Sequence, residues 1–176
     1  MIGLIDYGAG NLLSVKKALE FLKVDCKVVT SPVELTGITR MILPGVGAFE
    51  AAVDQLNSSG LFLPIKNWIF ENRSFLGICL GMQLLMDCSE ESTPDVKGFG
   101  FINGNAKKFT CNKVPQIGWN QVAFRNEEKL FTGINNNSFF YFVHSYYVNP
   151  ADTGTAIGFT DYSLEFPSAV RKDNVY

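Results

Sequence analysis

Cys79 stands between two glycines in the run Gly77-Ile78-Cys79-Leu80-Gly81, and that spacing is the setting of a nucleophile. A reactive residue at the tip of a sharp strand-to-helix turn takes a strained backbone. Its neighbours two positions away on either side must be small for strand and helix to pass closely. Residues 74–78 read as a short strand buried on both faces, and residues 82–86 have the straight-chain composition of a helix. The thiol is then expected above the carboxyl end of a sheet, at the positive end of a helix. There the macrodipole lowers its pKa, and the Leu80 N–H is free to receive an oxyanion. A cysteine without such flanks is ordinarily buried and inert, and Cys26, Cys88 and Cys111 are read that way.

An oxyanion needs a second donor, and Pro44-Gly45-Val46-Gly47 offers one. Two glycines around one valine give a loop whose backbone N–H groups can point outward with little side-chain cover. Taken alone, the stretch also reads as an ordinary strand-to-helix turn. Its placement argues for more, because in a doubly wound sheet this loop and the Cys79 elbow both emerge at the carboxyl ends of strands, where the crevice lies.

The elements that position these groups follow from periodicity. Residues 2–5 and 26–29 are short apolar runs of the buried parallel type, joined by a helix over 12–22 with Leu12, Val15, Leu19 and Leu22 at helical spacing. The crossover makes the pair parallel. Between them, Gly8-Ala9-Gly10 is read as a turn and not a dinucleotide fingerprint, since Leu13 occupies the third glycine's place. A strand over 40–43, a helix from near Ala48 and another over 61–70 precede the elbow. From Phe99 on, short strands are predicted at 99–102, 107–109, 119–124, 139–143, 155–160 and 168–170, a meander beside the α/β half.

The chain has 176 residues, enough for one domain with a sizeable core, and a formal charge of −2. That balance gives no electrostatic footprint for nucleic acid or an anionic membrane. Four cysteines without a C-x-x-C pair, and no apparent signal segment, fit reduced thiols in the cytoplasm. No apolar run approaches the roughly 18 residues of a membrane helix. The sequence holds a single histidine, His144.

Together with the elbow and the loop, Gln116-Ile117-Gly118-Trp119-Asn120, Tyr141-Phe142-Val143-His144-Ser145-Tyr146 and Ala169-Val170-Arg171-Lys172 resemble the glutaminase subunits of imidazole glycerol phosphate synthases, class I glutamine amidotransferases of histidine biosynthesis. The resemblance spans nearly the whole chain. It implies an α/β flavodoxin-like fold with a central, mostly parallel sheet flanked by helices and an antiparallel, strand-rich second half, as a single amidotransferase domain over 1–176. It further implies that Cys79 attacks the side-chain amide of glutamine and that a γ-glutamyl thioester is hydrolysed to glutamate. The ammonia passes to a (β/α)8-barrel synthase subunit that makes imidazole glycerol phosphate and AICAR. By matching position, Leu80, Gly45, Val46 and Gly47 form the oxyanion region, Gln83, Glu91, Ser145 and Tyr146 surround glutamine, and Asn11, Pro44, Trp119 and Tyr141 meet the partner. No cofactor or metal is implied.

In that family the general base is a histidine followed two residues later by a glutamate, on a strand near the C-terminus. No Gln-Phe-His-Pro-Glu type of run occurs among these residues, and His144 matches a different strand of the pattern. The expectation is that the C-terminus is truncated and that a further strand and helix carry the pair. The alternatives are a non-catalytic docking subunit, or a paralogue that feeds ammonia to another synthase such as one aminating a nucleotide sugar.

Overall fold

A computed structural model describes residues 1–110, 113–125 and 128–176; Cys111 lies outside the described residues. The first half alternates strand and helix: β1 (Ile2–Ile5), α1 (Leu12–Phe21), β2 (Cys26–Val29), β3 (Arg40–Gly45), α2 (Phe49–Ser58), α3 (Phe62–Phe70), β4 (Phe75–Cys79) and α4 (Leu80–Gln83). The strands pair in parallel in the order β2-β1-β3-β4. Their unbroken apolar character follows from cover on both faces. Leu4 and Ile42 pack under Leu19 of α1, while Ile5, Met41, Leu43 and Phe75 belong to the larger core shared with α2 and α3. Asn11 starts α1 by accepting a hydrogen bond from the Ser14 N–H.

The second half contains β5 (Cys88–Ser89), β6 (Gly104–Lys108), β7 (Gln116–Phe124), β8 (Ser138–His144), β9 (Tyr146–Pro150), β10 (Ala156–Asp161) and β11 (Glu165–Val170). It is not one meander. β11-β10-β7-β8 form one sheet, and β5-β6-β9 another in which β5 and β6 run parallel. The chain changes sheets at Ser145, between β8 and β9.

Two expectations are corrected. The elbow helix is one turn long, because residues 84–86 leave it as a buried turn. The apolar run 99–102 is not a strand: Phe99 N–H donates to the Leu84 carbonyl at 2.7 Å, and Phe101 and Ile102 both donate to that of Leu85 at 3.0 Å. Gly100, at φ +65°, breaks the extension. The two misreadings share a cause, since each segment supplies the hydrogen bonds the other lacks.

Residues 174–176 lie along the free edge of β4. Val175 bridges Phe75 in parallel, Tyr176 N–H donates to the Phe75 carbonyl at 2.9 Å, and Gly77 N–H donates to the Tyr176 carbonyl at 2.8 Å.

Candidate active site

Cys79 ends β4 and stands immediately before α4, at φ +56° and ψ −107°, a backbone region that a residue with a side chain occupies only under constraint. The two glycines supply the constraint. A Cβ on Gly77 would stand 2.5 Å from the Gly81 carbonyl oxygen and 2.8 Å from the Met82 nitrogen, and a Cβ on Gly81 would collide with the Leu43 carbonyl oxygen. Strand, elbow and helix therefore fit together only because both positions lack a side chain.

Cys79 is exposed, whereas Cys26 and Cys88 are half-buried. Its sulfur reaches the cleft, yet protein packs closely around it. Burial pushes the thiol pKa up, and the backbone N–H of Leu80 pulls it down by a smaller amount. The expected helix-dipole depression does not prevail, since a one-turn helix carries little aligned dipole.

The loop expected to complete an oxyanion hole lies one strand away. Gly45 is the register partner of Cys79 across β3 and β4, Val46 is exposed, and Gly47 takes φ +98°. Gly45 cannot carry a side chain: a Cβ there would stand 2.7 Å from the Tyr7 hydroxyl and 2.9 Å from Leu80 Cβ. Leu80 and Gly45 thus stand next to Cys79, the first along the chain and the second across the sheet.

A cleft of about 390 Å³ opens beside Cys79, between β4 and the β7–β8 sheet, with Gln83, His144, Tyr146, Tyr176 and Phe166 among its walls. Gln83 is buried, one helical turn after Cys79. Tyr146 starts β9, and its phenol is pushed up by burial, then by the charges of Glu91 and Glu90. Glu91 is no solvated turn residue: its carboxylate accepts from the Phe49 N–H at 2.8 Å and so caps α2 across a sequence separation of 42. Ser145 sits at the sheet switch, its carbonyl accepting from the Phe109 N–H at 3.0 Å.

His144 lies at the same corner with both ring nitrogens engaged, Nδ1 at 2.8 Å from the Tyr146 carbonyl and Nε2 at 2.8 Å from the Gln116 side-chain oxygen. Burial pushes its pKa below the usual histidine range, opposed in part by the Tyr146 carbonyl. This wall and corner role agrees with reading His144 as something other than the base.

The remaining sites are spread out. Asn11 caps α1, and Pro44 is buried within β3. Trp119 and Tyr141 are exposed, opposite each other in the β7–β8 register, with ring centroids 5.6 Å apart in an edge-to-face contact. The structure adds Tyr7, Gln116 and Tyr176 to the surroundings of the site. Tyr7 carries no motif in the sequence beyond its place just after β1.

The family model described as glutamine amidotransferase class-I matches residues 3–176. The imidazole glycerol phosphate synthase subunit HisH of Methanocaldococcus jannaschii is 47% identical over 182 residues, covering 100% of this chain and 88% of the relative. The subunit of the same name from Desulfitobacterium hafniense is 44% identical, covering 100% of this chain and 83% of the relative. Among solved structures, a glutamine amidotransferase superposes with a TM-score of 0.78 at 16% identity, over 99% of this chain and 86% of that one. A Thermotoga maritima glutamine amidotransferase gives 0.70 at 14% identity, over 99% and 72%.

Proposed function

The chain belongs to the class-I glutamine amidotransferase family, and from that premise we propose that it is the glutaminase subunit of an imidazole glycerol phosphate synthase, releasing ammonia from glutamine at Cys79. The observation that carries the reading is the elbow: a cysteine at φ +56°, between two glycines that cannot be replaced without collision, facing a cleft.

The Cys79 thiolate attacks the carboxamide carbon of glutamine, and the negative charge moves to the oxygen. The Leu80 N–H and the backbone of Gly45, Val46 and Gly47 border the place where that charge develops, and such donors stabilise it more than they stabilise the neutral amide. The amide nitrogen leaves as ammonia once protonated, and water then cleaves the thioester to glutamate. Gln83 and Tyr146 line the cleft that receives the substrate, Ser145 holds the corner, and the Glu91 carboxylate is of the right charge for the substrate ammonium.

The thiol proton requires an acceptor, and His144 has both nitrogens committed elsewhere. The base for Cys79 is therefore proposed to be a group other than His144 that reaches the cleft.

The ammonia acceptor is proposed to be a (β/α)8-barrel subunit docked on the outer face of β7 and β8. Support comes from the exposed apolar ladder there, which includes Trp119 at 70% and Tyr141 at 56% exposure. Because β8 is also an edge strand, an uncovered apolar face of this kind is an aggregation liability unless a partner covers it.

The test is covalent labelling by a glutamine-analogue electrophile such as 6-diazo-5-oxonorleucine, read by peptide mass spectrometry with and without the synthase subunit. Stoichiometric labelling at Cys79 that rises with the partner is expected. Absence of label at Cys79 in the assembled complex overturns the glutaminase reading and leaves a docking subunit.

A further inference from the structure

We propose that Tyr7 is a positioning residue for Cys79, its buried phenol hydroxyl turning to the sulfur as the thiolate forms. The inference rests on Cys79 being the nucleophile and adds a group to its machinery.

The argument starts from register. β1 pairs with β3 through Ile2 with Arg40, Gly3 with Met41 and Leu4 with Ile42, so continuing the ladder sets Tyr7 level with Gly45. Gly45 in turn pairs with Cys79. Tyr7, two residues past the end of β1, thus lies at the carboxyl edge of the sheet on the far side of Gly45 from Cys79, a span of roughly 10 Å at the usual strand spacing. The middle position has no side chain, and the phenol crosses it. The hydroxyl lies 2.7 Å from where a Gly45 Cβ would stand, and Leu80 Cβ and the Gly81 nitrogen lie 2.9 Å and 3.2 Å from that same point. The tip of the ring is thus lodged against the elbow.

Among the described residues, the Tyr7 hydroxyl is the buried side-chain polar atom without a hydrogen-bond partner, on a residue only 5% exposed. Leaving such a group unpaired is unfavourable, and phenylalanine would fill the same space without it. A donor kept in this condition beside a nucleophile has a use when an acceptor appears, and the acceptor at hand is the thiolate. The Cys79 charge acts on this phenol, so the two groups are near neighbours. The phenol keeps its own proton throughout, since burial first and the neighbouring Cys79 charge second push its pKa up to about 12. The other titratable groups lining the cleft are Tyr141, His144, Tyr146, Tyr147 and Tyr176, with Glu91 behind at the start of α2. None of these changes in a Tyr7 variant.

The experiment compares the chain with its Tyr7→Phe variant by iodoacetamide alkylation of Cys79 across a pH series, resolved by peptide mass spectrometry, with thermal melting alongside. It needs neither glutamine nor a partner, so its failure is distinct from failure of the glutaminase reading. The midpoint of Cys79 reactivity is expected to rise by about 0.5–1 pH unit, slowing alkylation near pH 7 roughly 3- to 10-fold. Melting should stay level or improve, because an unpaired buried hydroxyl is gone. A midpoint that does not rise in Tyr7→Phe overturns the proposal, whatever happens to the melting temperature.

Discussion

His144 illustrates how a single residue can be read by its type and misjudged by it. A lone histidine near a cysteine invites a catalytic pair, but the ring is held at 2.8 Å on both sides by oxygens, the Tyr146 carbonyl and the Gln116 amide. A neutral ring has one N–H, so it satisfies both contacts only if Gln116 turns its amide to present the NH2 group. Burial favours that neutral form. The sign of the linkage follows. The unfolded chain takes up a proton at the ordinary histidine pKa and the folded chain only at lower pH, so His144 contributes stability above that value and the contribution is lost as pH falls through it. Since the sequence has one histidine, its ring signals give an unambiguous NMR titration. The midpoint is expected below 6.5. A midpoint at or above 6.5 would mean that the ring is solvated and free to exchange protons.

At the scale of the elements, the elbow is a packing problem solved by omission. The Leu43 carbonyl oxygen occupies the space that a Gly81 side chain would need, and backbone cannot step aside as a flexible side chain can. Gly81→Ala should therefore destabilise the fold by about 1–3 kcal/mol, as overpacking does elsewhere, and displace Cys79 from its strained conformation. Urea denaturation together with alkylation of Cys79 reads both effects. An unchanged urea midpoint would show that β3 and α4 are not held as closely as the geometry states. This much was legible in the sequence, because the glycine spacing is local. β1 to β4 were also legible, as apolar runs between clear turn signals. The run 99–102 was not, since its N–H groups bond to a buried turn's carbonyls that no periodicity announces. β9 escaped because Asn149-Pro150 at its end reads as a turn although both residues pair with β6. The Glu91 cap on α2 and the reach of Tyr7 over Gly45 depend on tertiary placement, and a linear pattern carries no trace of either.

At the scale of the whole molecule, the β7–β8 ribbon carries an exposed apolar ladder and also borders the cleft. Register places Ile117 opposite Val143, Trp119 opposite Tyr141 and Gln121 opposite Phe139, and every apolar member of this ladder is exposed by more than half. The alternate residues Gln116, Phe142 and His144 belong to the corner and the cleft beside Cys79, and Tyr141 and Val143 reach the border of that cleft as well. A subunit seated on this ladder, as proposed, would press on strands that also border the cleft beside Cys79. Trp119 is the natural anchor, a large amphipathic ring at the centre of the ladder with Tyr141 against its edge. Trp119→Ala should weaken binding of the proposed barrel subunit by about 2 kcal/mol or more, roughly 30-fold in Kd, by titration calorimetry. The isolated chain should melt as before, because an exposed side chain contributes little to its core. Unchanged affinity would place the partner on another surface, and the apolar ladder would then require a different occupant.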